Sequence, residues 1–123
     1  ASRVDERPGV LSHLFHITSH AAWASAQAHG AYTADSLVTE GFIHCSDAHQ
    51  VVWVANQRFR DRQDLVLLQI DPTRLKVEVR YENLEGGEQQ FPHVYGPIPV
   101  VAVVQVMPFR PGADGTFSGP IEK

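Results

Sequence analysis

Cysteine, methionine and long apolar runs are scarce in this sequence of 123 residues, which has one cysteine and one methionine. Cys45 alone cannot form an internal disulfide, and this scarcity is typical of proteins from a reducing compartment. No apolar stretch approaches the roughly 20 residues of a membrane span. The first residues also lack the apolar core of a signal peptide. We therefore expect a cytoplasmic protein without a membrane partner.

Positive charge is also in short supply. Lysine and arginine number 10 against 14 acidic residues, which gives a formal net charge of -4 at pH 7. A large nucleic-acid footprint requires a basic face. Three arginines do cluster at positions 58, 60 and 62, but Asp61 and Asp64 interrupt them. We expect a small-molecule ligand rather than DNA or RNA, and the sequence leaves the oligomeric state open.

What remains is the composition of an ordinary globular domain, with 43% hydrophobic and 20% charged residues. A chain of this length is expected to bury about two-thirds of its surface on folding, which supports a core without disulfides or metals. No repeat or change of composition marks a second domain. We predict a single domain at residues 12–107, with flexible termini at 1–11 and 108–123.

Hydrophobic patterning predicts a strand, a helix, a strand, a helix and then four strands. The predicted strands cover residues 12–17, 41–46, 64–71, 75–82, 91–95 and 100–107. One predicted helix runs from an N-cap at Thr18 to about His29, and the other from an N-cap at Ser46 to Phe59. This order predicts an α+β fold, with two helices against a small, partly antiparallel sheet of six strands.

Three prolines and one glycine punctuate the stretch at 91–99, FPHVYGPIP. Proline fixes its own backbone and restricts the residue before it, so this stretch is stiff. Where it is extended, Phe91, His93 and Tyr95 share one face and Val94 takes the other. An imidazole and a phenol on a stiff backbone are typical of a small-ligand site.

Histidine is abundant, with seven in the chain, and three lie on or beside predicted strands: His16, His44 and His93. Each histidine points to the face of its strand opposite the neighbouring apolar side chains, so the three imidazoles can meet at one cleft. Alternatively, each is a partly buried imidazole with its own hydrogen bond. A zinc or iron site is a further alternative, but the spacing does not match local metal motifs. We therefore predict no metal ligands.

Two outward positions of the strand at 75–82 carry Arg80 and Glu82. They indicate either a solvated edge or a site in which Arg80 binds a phosphate or carboxylate and Glu82 accepts from a sugar hydroxyl. Ser46 has a comparable ambiguity, because a helix-capping hydroxyl can also help to bind an anion. The sequence alone does not choose between these interpretations.

Several motifs together resemble the bacterial domain-of-unknown-function family 952. They are LFHIT at the first strand, Trp23 in the first helix, GFIHCS, DLVLLQID, RYEN followed by GG, and FPHVYGPI. The resemblance covers about residues 12–107. It implies an ADP-ribosyltransferase-like fold, in which a split, twisted sheet holds NAD in a cleft.

The resemblance also implies a set of site residues. His16 would face the adenosine-side ribose. Phe42, His44 and Ser46 would line the nicotinamide-side pocket, and Arg80, Glu82, His93 and Tyr95 would close it. Active transferases carry a glutamate where this chain has His93, and Glu82 is the available substitute. The implied catalytic residues are Glu82, His93 and His44, and the implied ligand-binding residues are His16, Phe42, Ser46, Arg80 and Tyr95.

The resulting hypothesis is a protein that binds NAD, ADP-ribose or a related nucleotide-like ligand. In the catalytic version it transfers ADP-ribose or hydrolyses NAD, with NAD as substrate and no other cofactor. Two alternatives stay open from the sequence. One is a non-enzymatic domain that binds or senses a small metabolite, and the other is a histidine-based metalloenzyme.

Overall fold

Eight strands and three α-helices form the part of the chain that the computed structural model describes, which is residues 12–83, 87–119 and 121. The strands are β1 (Leu14–Ser19), β2 (Ala31–Tyr32), β3 (Ile43–His44), β4 (Leu65–Ile70), β5 (Val79–Glu82), β6 (Phe91–Val94), β7 (Ile98–Pro99) and β8 (Val103–Phe109). The helices are α1 (His20–His29), α2 (Asp35–Thr39) and α3 (Val51–Arg58). The predicted α+β class is confirmed. The predicted number of helices is wrong, because α2 forms in a segment predicted to be irregular.

The strands pair in three antiparallel groups, ordered β1–β4–β8, β3–β6–β5 and β2–β7. Every residue of β4 is buried, as its doubly apolar sequence predicts for a central strand. No parallel pair occurs among the described residues, so the sheets are antiparallel throughout rather than partly so.

A single bridge joins the two three-stranded sheets. The amide of Phe15 donates to the carbonyl of Ser46, and the amide of Ser46 donates to the carbonyl of Phe15, both at 2.8 Å. β1 is therefore joined through its backbone to Ser46, which lies just after β3. The six predicted strands occur as two groups of three with an opening between them, and β2 and β7 form an additional short ribbon.

Two helix starts differ from the prediction by one residue. Ser19, not Thr18, caps α1, and its hydroxyl accepts from the amide of Ala22 at 3.0 Å. Asp47, not Ser46, caps the 3₁₀ turn that leads into α3. The backbone of Ser46 is held in extended form by its bridge to Phe15, so the turn begins one residue later.

Two strands are also shifted. β5 begins only at Val79, although the alternating pattern starts at Leu75. β8 begins only at Val103, after a 3₁₀ turn at Val100–Ala102, and it continues to Phe109. For residues 75–82 the alternation correctly identifies the inward side chains, but it does not show where a partner strand is available for hydrogen bonding.

The core lies on both faces of the β1–β4–β8 sheet. Alternate side chains such as Leu14, Val66 and Leu68 pack on one face with α1. Phe15 and Leu67 pack on the other face with α3. This division follows from the period of two along each strand. Within the described residues, no helix is both long and apolar enough to cross a bilayer.

The segment after β8 packs against the domain, which differs from the predicted flexible terminus beginning at residue 108. Phe117 is buried and stacks on Phe109 with ring centroids 4.8 Å apart. The Asn56 side chain of α3 donates to the Phe117 carbonyl at 3.1 Å and accepts from its amide at 2.8 Å. The predicted flexible segment at 1–11 lies outside the described residues.

Candidate functional site

A cavity of about 320 Å³ opens where α3 faces the β3–β6–β5 sheet. Its volume is within the range of small-molecule sites. Six of the eight residues predicted as site residues line it: His16, Phe42, His44, Ser46, Glu82 and His93. The other two, Arg80 and Tyr95, are not in its lining but contact residues nearby.

Strand register brings these residues together. His44 of β3 lies opposite His93 of β6, and His93 lies opposite Arg80 of β5. Glu82 lies opposite Phe91 in the same way. Opposed residues of paired strands share a face, so all five side chains are on the outward face of this sheet.

A buried capping box holds the sheet in place beside α3. The Asp47 amide donates to the Gln50 side chain at 2.9 Å, and the Gln50 amide group donates to the carbonyl of Gln90 at 2.8 Å. The Tyr81 hydroxyl of β5 donates to the Asp47 carboxylate at 2.9 Å. The outer strand β5 and the residue that precedes the central strand β6 are therefore tied to the turn that starts α3.

Glu82 is the centre of the polar part of the site. Its Oε1 accepts from the Tyr95 hydroxyl at 2.6 Å and from His93 Nδ1 at 2.8 Å. These two hydrogen bonds, with that from Tyr95 the stronger, hold the pKa of Glu82 below its usual range. The same contact raises the pKa of Tyr95. Glu82 is therefore a carboxylate at neutral pH, and Tyr95 is a neutral donor.

Two polar atoms of Glu82 and His93 stay available to a ligand. Glu82 Oε2 and His93 Nε2 have no hydrogen-bond partner within the described residues, and neither is sealed from solvent. His93 is only 4% exposed, and that residual surface is in the cavity. A histidine that donates from Nδ1 to a carboxylate presents a basic Nε2 lone pair. The site thus offers one free carboxylate oxygen and one oriented imidazole nitrogen.

Aromatic contacts hold the two rings of this group in place. Phe42 stacks on His93 with centroids 4.1 Å apart and an interplanar angle of 20°. Phe42 also meets the His44 ring edge-on at 4.8 Å. His44 is partly exposed at the rim, where its Nε2 lies 3.2 Å from Glu40 Oε2. The apolar wall at Phe42 therefore adjoins the polar group at Glu82.

His16 reaches the cavity but has no free ring nitrogen. Its Nδ1 donates to the His44 carbonyl at 2.5 Å, and its Nε2 bonds to the Tyr32 hydroxyl at 2.7 Å. Burial lowers the pKa of His16 to about 4, so the ring is neutral. The geometry differs from the predicted role in holding a ribose, because both nitrogens are already used. His16 instead joins β1 to β3.

Arg80 faces solvent rather than the cavity. Its guanidinium bonds to Glu78 at 2.9 Å and lies over the Tyr95 ring, 4.5 Å from its centroid. The contact with Glu78 raises the pKa of Arg80. This position corresponds to the solvated edge considered for the strand. Cys45 is buried in the core, and this burial raises the pKa of its thiol and so disfavours the reactive thiolate.

The lining residues that were not predicted include Trp53 and Arg58 from α3, and Phe91 from β6. The helical stripe at Ala48, Val52, Ala55 and Phe59 predicts only which side of the helix packs inward. A tryptophan outside that stripe is the signal that indicates a second contact surface.

The described residues contain no group of three or more histidine, cysteine or acidic side chains able to hold a metal ion. Although His16, His44 and His93 meet at one cavity, His16 has both nitrogens in protein hydrogen bonds. The metalloenzyme alternative gains no support from this arrangement.

Fold and site together define a small α+β protein with an open split between two antiparallel sheets and a polar-aromatic cavity beside it. The sequence profile of a family described as "Protein of unknown function (DUF952)" matches residues 17–106. The chain belongs to this family. No curated protein sequence matches it significantly.

Two solved structures of the protein CC0527 from Caulobacter crescentus are similar to this chain. The crystal structure has 31% identity and a TM-score of 0.78, covering 87% of this chain and 94% of that one. The solution NMR structure has 32% identity and a TM-score of 0.76, covering 86% and 91% respectively. The similarity supports the arrangement of strands and helices, while the ADP-ribosyltransferase-like fold stays a prediction.

Proposed function

We propose that the cavity binds NAD, ADP-ribose or a related nucleotide-like ligand through its ribose. The observation that carries this proposal is the free Oε2 of the Glu82 carboxylate, fixed in position by two donors on the other oxygen. A carboxylate oxygen is a strong acceptor for a sugar hydroxyl. The Phe42 wall offers an apolar surface to the ring attached to that sugar.

The same group can support cleavage of the N-glycosidic bond of NAD. That bond breaks with its electron pair going to the nicotinamide nitrogen, and positive charge develops on the ribose. Glu82 stabilises this charge electrostatically. The oxygen of a water molecule then adds to the ribose carbon, and His93 Nε2 takes the proton released. The products are nicotinamide and ADP-ribose, and transfer to another acceptor follows the same steps.

The other predicted residues take supporting roles in this proposal. Tyr95 positions Glu82 rather than touching the ribose, and His16 positions β3, on which His44 lies. His44, at the rim, can donate to a ribose hydroxyl or a phosphate. Ser46 contributes its hydroxyl to the lining.

Thermal unfolding with and without ligand tests binding. We expect saturating ADP-ribose to raise the melting temperature, because a ligand of the folded state stabilises it by mass action. Glu82→Gln should abolish most of the shift. Glu78→Gln is the matched control, since Glu78 is an exposed neighbour that bonds to Arg80 and not to the cavity.

Release of nicotinamide from NAD tests catalysis separately. We expect release that disappears in His93→Ala and Glu82→Gln but persists in Glu78→Gln. Binding without release would favour the sensor alternative, in which the same cavity detects a metabolite. No thermal shift with NAD, ADP-ribose or nicotinamide would contradict the proposed function as a whole.

A further inference from the structure

Trp53 is a large aromatic residue that the fold leaves half exposed at the cavity. It lies in α3, two residues after the buried Val51, and it is 50% exposed to solvent. Large apolar side chains left open beside a cavity commonly mark binding surfaces. The chain has one other tryptophan, Trp23, which packs against the core on the α1 side.

A second ring supports the indole from behind. Phe91 lies 6.1 Å from Trp53, centroid to centroid, with an interplanar angle of 25°. This offset arrangement fixes the orientation of the indole while leaving much of its surface uncovered. Phe91 is also the cross-strand partner of Glu82. The aromatic pair is therefore next to the proposed ribose acceptor along the same lining.

A positive charge also lines the cavity. Arg58, in the last turn of α3, lines the same cavity as Trp53 and Phe91. Arginine binds phosphate oxygens with fork geometry. Base–aromatic stacking and cationic contact with phosphate are the two interactions that bind nucleotides without reading their sequence.

We infer that Trp53, Phe91 and Arg58 form a base-and-phosphate subsite for the mononucleotide half of the ligand. A purine base stacks on the exposed face of Trp53 and its phosphate meets Arg58, so that the second ribose of NAD or ADP-ribose, beyond the pyrophosphate, reaches Glu82. This inference rests on the proposed function and adds the residues that select a nucleotide over a plain sugar.

Tryptophan fluorescence tests the subsite directly. In Trp23→Phe, Trp53 is the only tryptophan, so any change in emission reports on it. We expect AMP to quench the emission saturably and ribose 5-phosphate, which has no base, to leave it unchanged at the same concentrations. Equal behaviour of the two compounds would overturn the stacking role of Trp53.

Calorimetric titration of the otherwise native protein with ADP-ribose provides the second readout. Stacking on one aromatic residue typically contributes enough affinity for Trp53→Ala to weaken binding about tenfold, with Trp53→Phe recovering most of it. Arg58→Gln should weaken AMP binding but not adenosine binding. Arg62→Gln is the matched control, because Arg62 bonds to Asp64 and lies outside the cavity lining.

The two proposals fail in different ways. If ADP-ribose binds and Glu82→Gln abolishes binding, while Trp53→Ala and Arg58→Gln bind as the native protein does, the subsite is refuted and the proposed function stands. If ADP-ribose does not bind the native protein at all, both are refuted.

Discussion

Glu82 is the residue on which the proposed chemistry depends. Its lowered pKa has a physical cause in two donors that meet one oxygen, the Tyr95 hydroxyl first and the His93 ring second. The other oxygen stays available. A carboxylate buried without such donors would instead become neutral near physiological pH.

Tyr95→Phe tests this arrangement without removing the ring. We expect the pKa of Glu82 to rise towards its ordinary value, because the larger of the two causes of its lowering is lost. The loss of this hydrogen bond to a charged acceptor should also lower the free energy of unfolding. NMR titration of the Glu82 carboxyl and urea unfolding measure the two effects. If Tyr95→Phe lowered the free energy of unfolding equally in the native protein and in Glu82→Gln, the loss could not come from the hydrogen bond to Glu82.

The lowered pKa of Glu82 also makes part of the free energy of unfolding depend on pH in the acid range. Because its pKa is lower in the folded state than in the unfolded state, its contribution is complete above the unfolded pKa of about 4.5. It is lost as the pH falls below that value and through the folded pKa. Glu82→Gln should therefore flatten the decline in unfolding free energy below pH 4.5.

The lowered pKa of His16 predicts a decline in the free energy of unfolding over a different pH range. Its pKa is about 4 in the folded protein against 6.5 for the free group, so between these values the unfolded state binds more protons. Stability should fall as the pH drops from about 6.5 to about 4, by up to about 3 kcal/mol from this residue. Its ring resonances should not titrate between pH 7 and 5. A normal titration near pH 6.5 would contradict a buried, neutral His16.

At the scale of elements, the turn after β6 depends on a close contact between Gly96 and Val77. A Cβ added at Gly96 would lie 2.4 Å from Val77 Cγ1, and Val77 packs against the core. Overpacking of this kind costs about 1–3 kcal/mol. We expect that loss for Gly96→Ala in chemical denaturation.

Two further variants separate a clash from a general effect of alanine. Gly112→Ala should be nearly neutral, since its added Cβ would meet its nearest atom at 3.7 Å, an ordinary contact. Combining Val77→Ala with Gly96→Ala should cost less than the sum of the two single changes, because the clashing methyl group is gone. Strict additivity of the two would argue against the contact.

The C-terminal segment provides the second prediction for an element. Phe117 is buried against Phe109, so Phe117→Ala should lower the free energy of unfolding by about 3–5 kcal/mol. A change of less than about 0.5 kcal/mol in urea unfolding would instead fit the flexible terminus predicted from the sequence.

The elements also show what sequence patterns can and cannot give. Alternation correctly assigned the faces of β5 and β6, because side-chain direction is a local property of an extended backbone. The bridge between Phe15 and Ser46 could not be predicted, since it depends on where two distant strands meet. The Gly- and Pro-rich composition after residue 107 predicts a loose tail, because it does not show the stacking of Phe117 on Phe109 or its hydrogen bonds with Asn56, which depend on residues distant in sequence.

At the scale of the whole molecule, the split between the two sheets creates the site. One backbone bridge joins Phe15 of β1 to Ser46, just after β3, and the His16 side chain adds a hydrogen bond to the His44 carbonyl. The cavity beside these contacts is lined by α3 on one side and by β6 on the other. The predicted meeting of three histidines follows from this geometry, but their roles differ. His16 supports the fold, His44 lies at the rim, and His93 presents a free nitrogen inside.

Chemical-shift mapping with ADP-ribose tests most directly whether this cavity is the ligand site. We expect saturable shifts in the ring resonances of His93 and Phe42 and in the Glu82 carboxyl, with none at Val104 and Val106 on the exposed face of β8. Absence of any shift at saturating ADP-ribose, or shifts confined to β8, would contradict a ribose-binding cavity centred on Glu82.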